Sequence, residues 1–261
     1  MDRKNIDKIT DNPDDKLLLA KVWDKIQAGF QKNIPVHTSF LSPHQIQLAQ
    51  YLFGNQPGLV TFGGYEDAER KMYVYLPEYL TDEYLTNDDS PISCLRATFY
   101  KDEVLTHRDF LGALIGCGIT RETIGDILVG EHHCDFFITS DIAPYLLENF
   151  KTAGHVSLNI TQIPFCNIII PEPKFIQLND TVASLRLDSI ISSGFRISRT
   201  TAAEYILAGK VAVDGVSCEK ADKGVSENSK ISVRGLGKIK VAQIGHTTKK
   251  GRISVSIHRY Q

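Results

Sequence analysis

The sequence has 261 residues, 42% of them hydrophobic and 23% charged, with a formal net charge of -2. That much apolar material excludes a disordered chain. No run approaches the roughly 18 consecutive apolar residues of a membrane span, and the polar start MDRKNIDKITDNPDDK lacks the apolar core of a signal peptide. Five cysteines, odd in number and never spaced C-x-x-C, fit a reducing cytoplasm better than a disulfide framework. Two runs of turn formers, 86–91 and 171–174, divide the chain. They predict an α+β protein of three small domains over 1–86, 91–173 and 180–261.

In the first segment, Leu17, Leu18, Ala20, Val22, Ile26 and Phe30 approximate a 3.6-residue stripe and predict a helix. Ser42 followed by Pro43 is a second helix start. Residues 59–62 and 71–76 read as strands. Between them, 63–70 reads as an ordinary loop, although its two glycines suit a positive φ or a close backbone approach.

In the second segment, the order is strand 92–100, helix 108–115, strands 123–129 and 135–139, helix 142–153 and strand 156–163. This β-α-β-β-α-β order is ferredoxin-like and is shared by RNA-recognition domains, though fold does not imply function. The usual aromatic RNA-recognition signature is missing. Phe136 and Phe137 lie on the third strand and point to opposite faces. At least one belongs to the core, and Phe137 is a candidate base contact.

In the third segment, 182–191 reads as a helix. Ser198 is placed to cap a second helix, 199–208, which Gly209 stops. Strands 210–213 and 216–218 flank Asp214-Gly215, a tight-hairpin signal. Strands 231–233, 239–244 and 252–257 follow. In the last, Ile253, Val255 and Ile257 alternate with Ser254, Ser256 and His258, so one face is buried.

The net charge hides an asymmetry. Residues 182–261 carry 14 Lys+Arg against 6 Asp+Glu, while 1–181 carry 15 against 25. A basic end on an acidic chain points to a polyanion. The capped start at Ser198, Arg199 and Thr200 offers free backbone N–H groups to a phosphate, and Arg199 adds a planar fork. Arg186 and Lys210 extend this patch. Arg234 and Lys238 stand on a glycine-rich hairpin tip with Lys240 behind them, and Lys249, Lys250 and Arg252 form a second basic tip.

Arg186-Leu187-Asp188, Gly194-Phe195, Ser198-Arg199, Ala202-Ala203, Ile206, Gly209-Lys210-Val211, Val213-Asp214-Gly215 and Arg234-Gly235 resemble, in order, the S4 RNA-binding domain. The resemblance implies that two helices and a hairpin grip structured RNA, with Arg186, Ser198, Arg199, Thr200 and Lys210 on the gripping positions. Asp188 reads as a residue that orients an arginine.

Upstream, the stretches 62–70, 107–114 and 118–127 resemble the YlmH family, bacterial S4 proteins encoded in cell-division gene clusters. That resemblance implies a non-enzymatic RNA binder, monomeric, with no cofactor. Its implied partners are ribosomal or transfer RNA, the large ribosomal subunit, and nascent-chain rescue factors or division proteins. The alternative is an RNA-modifying enzyme that uses its S4 domain as a targeting handle. The signatures of a tyrosyl-tRNA synthetase are missing, Gly116-Cys117-Gly118 reads as a helix stop rather than a methyltransferase cofactor loop, and Asp188 lies inside the S4 pattern. A division scaffold is a third reading.

Other constellations carry less. His132, His133, Cys134 and Asp135 are neighbours on a strand and cannot converge on one ion, so no metal site is expected. Thr106 reads as the cap of the helix that His107, Arg108 and Asp109 begin. Arg108 and Arg121 are candidates for a second RNA contact, against internal salt bridges.

Overall fold

In the computed structural model, which describes residues 5–100, 103–172, 174–248 and 251–260, side-chain caps set where the first long helices begin. A short helix α1 (Ile6–Ile9) precedes α2 (Pro13–Lys32), whose Asn12 cap accepts the backbone N–H groups of Asp14 and Asp15. Strand β1 (Val36–His37) leads to α3 (Pro43–Phe53). There Ser42 and Gln45 exchange side-chain-to-backbone hydrogen bonds of 3.3 and 2.8 Å, a reciprocal cap. Strands β2 (Leu59–Phe62) and β3 (Met72–Tyr75) complete an antiparallel sheet of order β1-β3-β2. Among the described residues no helix is long and apolar enough to cross a membrane.

The chain then runs through β4 (Ile92–Thr98), α4 (His107–Gly116), β5 (Ile124–Val129), β6 (His133–Thr139), α5 (Ala143–Asn149), a small hairpin of β7 (Thr152–Ala153) and β8 (Val156–Ser157), and β9 (Asn159–Ile163). The four-stranded sheet has order β5-β6-β4-β9 with every pair antiparallel, the spatial order of the ferredoxin-like fold. Helix α5 is shorter than the predicted 142–153. Its place is taken by the β7–β8 hairpin, which turns through Gly154 at φ 60°.

Residues up to Pro171 form one compact unit. Within it, Tyr73 and Tyr75 of β3 face α2 and α3, packing with Trp23, Ile26, Leu52 and Phe53. The alternate residues, Met72 and Val74, meet Ile92, Cys94 and Phe137 of the four-stranded sheet. The other face of that sheet, with Leu95, Phe136 and Ile138, packs on Phe110 and Leu114 of α4 and Leu146 of α5. Both sheets are therefore sandwiched, and β3 is buried at all four positions.

Loop 63–70 is not an ordinary loop. Asp126 accepts hydrogen bonds from the Tyr65 hydroxyl (2.9 Å) and from the backbone N–H groups of Glu69 (2.6 Å) and Arg70 (3.0 Å). Gly64, at φ 97°, lies so close to Phe137 that a Cβ there would fall 2.3 Å from the ring. The close backbone approach that the glycines allow is the one realised.

Residues Glu172–Gln261 form the second unit. Strand β10 (Phe175–Val182) opens it, followed by α6 (Leu187–Phe195), α7 (Arg199–Leu207), β11 (Val211–Val213), β12 (Val216–Ser217), β13 (Lys230–Val233), β14 (Gly237–Thr247) and β15 (Ile253–Tyr260). They form a six-stranded sheet, β10-β15-β14-β13-β11-β12. The expected helix 182–191 is corrected. Val182 ends a strand paired with Ile253, and α6 starts only where Leu187 and Asp188 donate to the carbonyls of Lys223 and Ala221. Asp214 and Gly215, at φ 53° and 84°, make the expected tight turn. Helix α6 packs on one face of the sheet: a Cβ on Gly194 would fall 2.7 Å from Ile239. Ile190, Ile191, Ala202, Ile206, Ile239, Val241, Val255 and Ile257 fill the space between.

Candidate nucleic-acid interface

On the helix side of the second unit, Ser198 caps α7 by accepting the Thr201 N–H at 3.0 Å. The N–H groups of Arg199 and Thr200, at the first positions of a helix, have no intrahelical acceptor. Arg199 and Thr200 are exposed there. The Arg199 guanidinium donates to Asp188 at 2.7 Å, and Arg186 donates to the same carboxylate at 3.3 and 3.5 Å. Asp188 also accepts the Ser189 N–H at 2.8 Å. Burial pushes the Asp188 carboxyl up, but the hydrogen bonds from Arg199 and Arg186 outweigh it and hold the group below its ordinary range. One buried carboxylate thus orients two arginines, and about half of the Arg199 side chain (51%) stays in water. Most of its five donors remain for an anion.

Beside this pair is a recess of 270 Å³ lined by Arg196, Arg199, Arg252 and by Ser189, Ser192 and Ser193, with Asp180 at its edge. Arg252 is turned into it by hydrogen bonds to the Thr181 hydroxyl (2.9 Å) and carbonyl. Arg196, absent from the sequence-based set, ends α6 in the left-handed conformation at φ 55° and is exposed. Its residue type does not mark the position in the sequence, because a helix end of this kind usually carries glycine or asparagine.

The remaining basic residues lie elsewhere. Lys210 rests over the Tyr205 ring at 5.5 Å, and its carbonyl accepts the Arg234 N–H at 2.9 Å. Lys210 and Arg234 therefore adjoin at the end of α7 and the β13–β14 tip. Lys238 and Lys240 alternate with the buried Ile239 and Val241, so they stand on the sheet face away from the helices. Lys249 and Lys250 lie outside the described residues. Among the described residues, Arg186, Arg199 and Arg252 thus lie on the helix side, Lys238 and Lys240 on the opposite sheet face, and Lys210 and Arg234 at the β13–β14 tip.

In the first unit, the candidate base contact Phe137 is corrected. It is fully buried, stacked on Tyr65 (5.4 Å) and Phe165 (6.5 Å). The sheet face that stacks bases in RNA-recognition domains is filled by the protein's own residues. Arg121 points inward, donating to the carbonyls of Ile124 and Gly125 at 2.9 and 3.2 Å. Arg70 does likewise, to Ile124, Phe40 and Arg121, and burial together with the nearby Arg121 brings it down to about 10. Arg108 is exposed on the first turn of α4, where Asp109 accepts from the Thr106 N–H and hydroxyl at 2.8 and 2.6 Å. Asp135, on the covered sheet face, is fully buried and held bidentately by Arg96 at 2.6 and 2.7 Å. Cys134 points to the opposite face, into the helix-side core.

The S4 domain model matches residues 185–231, and the model described as "Putative RNA-binding domain in YlmH" matches 97–167. The chain is 31% identical over 225 residues to the ribosome-associated protein quality control protein P2 of Bacillus subtilis (strain 168), across 85% of this chain and 86% of that protein. It is similar in fold to the cell division protein ylmH from Streptococcus pneumoniae, with a TM-score of 0.50 and 23% identity over 61% of this chain and 97% of that chain.

Proposed function

The chain belongs to the YlmH family of S4-domain proteins, and from that premise we propose that it binds structured RNA of the large ribosomal subunit, ribosomal or transfer, in the cytoplasm. It acts there by position rather than by chemistry, in quality control of obstructed nascent chains. The observation that carries this reading is the pair Arg186 and Arg199 held by the buried Asp188 at the capped start of α7. Two oriented guanidinium groups, free helix N–H groups and the Arg196–Arg252 recess offer a phosphate backbone charge-assisted donors that need no rearrangement. The relative from Bacillus subtilis, named for ribosome-associated quality control, supports the ribosome as the place of action.

Co-sedimentation of the full chain with separated ribosomal subunits, across a salt series, tests the proposal. Association with the large subunit is expected, falling steeply as salt rises because counterions released from phosphates drive it. Arg199→Glu is expected to abolish association, and Arg199→Lys, which keeps the charge but loses the fork, to leave an intermediate level. Unchanged binding by a folded Arg199→Glu protein would overturn the helix-side mechanism.

A further inference from the structure

We propose that the sheet face turned away from α6 and α7 is a second nucleic-acid site, one that takes unpaired nucleotides. The placement follows from register. In β15, Val255 and Ile257 are buried, and Arg259 lies over the Phe195 ring of α6 at 5.4 Å. Their alternates, His258 and Tyr260, therefore stand on the other face. Across that face Lys230 pairs directly with Lys240, Lys240 with His258, and His258 with Gln177. Phe175, paired with Tyr260 on the edge strand, stacks on the His258 ring with centroids 3.9 Å apart and planes 11° apart. It meets Tyr260 edge-on at 6.5 Å and is 42% exposed.

Two features of this face point to one occupant. Like charges directly opposite each other in a sheet are destabilising, and Lys230 and Lys240 are so placed, at a separation set by strand spacing, about 5 Å. A polyanion lying across both would offset that repulsion. Next to the lysines, the Phe175–His258–Tyr260 cluster exposes ring surface at the sheet edge. Lysines beside a ring platform match a backbone with bases attached, because phosphates meet the charges and base faces meet the rings. In a duplex the base faces are hidden by stacking, so the platform selects unpaired nucleotides. An acidic peptide would satisfy the lysines and leave the rings unused. The site lies on the opposite face from the arginine pair, so the loss of one leaves the other in place.

The test is fluorescence anisotropy of the full chain with a short fluorescein-labelled single-stranded oligouridine, with its duplex and polyglutamate as competitors. Single strand is expected to bind. Phe175→Ala is expected to weaken it roughly tenfold, the scale of one lost base–aromatic stack, and Phe175→Tyr to retain it, which separates stacking from misfolding. Lys230→Glu with Lys240→Glu is expected to weaken binding further and flatten its salt dependence. Arg199→Glu is expected to change it less than about twofold, since that residue serves the other face. Wild-type-like binding by Phe175→Ala overturns the proposal, as does equal competition by duplex or polyglutamate. A loss caused by Arg199→Glu alone also overturns it, because the oligonucleotide would then be reading the helix side. If the ribosome association fails but the single strand still binds through Phe175, only the function proposed above falls.

Discussion

The two larger sheets of this protein carry similar alternation and have opposite fates. In the four-stranded sheet, one face packs on α4 and α5, and the other is closed by Phe40, Met72, Val74 and Tyr65, with Phe165 over Phe137. In the six-stranded sheet, helices cover one face, and the other keeps Lys230, Lys240, His258 and Phe175 toward water. A ferredoxin-like order alone therefore does not provide a base-stacking surface. Aromatic residues in the first sheet are spent on the core, and those available to a ligand sit on the sheet whose fold class has no such reputation.

The largest effect that would break this contrast is at Phe137. Phe137→Ala removes a fully buried ring and is expected to destabilise the first unit by about 3–5 kcal/mol. Urea unfolding measures this, and the folded variant is expected to retain its affinity for RNA. Loss of RNA affinity without loss of stability would return Phe137 to the interface.

A smaller effect is expected at Asp188. Asp188→Asn removes the charge that orients Arg186 and Arg199, and about 1–2 kcal/mol is expected, at the low end because half of Arg199 is solvated. The carboxyl titrates below its ordinary value of 3.8 in the folded protein. Its contribution is therefore complete above that value and is lost as pH falls through the lower native one. Thermal unfolding of wild type and variant across that acid range should converge at the lowest pH. A gap of constant size would mean that the ion pairs carry none of the effect.

The smallest effect is expected on the open face. Lys240→Gln relieves the repulsion with Lys230 and is expected to shift stability by less than about 0.5 kcal/mol, in the stabilising direction. A clear destabilisation would show that Lys240 is a structural residue, and the two sheets would then differ less than they do here.

Legibility followed the range of the interactions. Ser42 with Gln45, Ser198 with Thr201, and Asp214-Gly215 act over a few residues, and each stands where its residue types predict. Strand β10 is hidden in the sequence because it is an edge strand with one buried residue in eight, so no alternation marks it. Loop 63–70 reads as ordinary in the sequence because its anchor, Asp126, is 56 to 61 positions away. The basic residues read as one patch because charge counts carry no direction. The alternation of Lys238 and Lys240 with Ile239 could have separated them from the arginines, but only helix packing says which face is closed.

The α+β class, the capped starts of α3 and α7, the hairpin turn, the S4 pattern and the concentration of positive charge after residue 181 are all legible in the amino-acid sequence. These rest on propensity, capping and composition, which are properties of neighbouring residues. Long-range packing is what makes Phe137 core, brings two arginines onto Asp188, and puts Lys230 and Lys240 on the sheet face opposite Arg186 and Arg199. The reason is that alternation makes every strand two-faced. Burial of one face and exposure of the other depends on which distant segment folds across it.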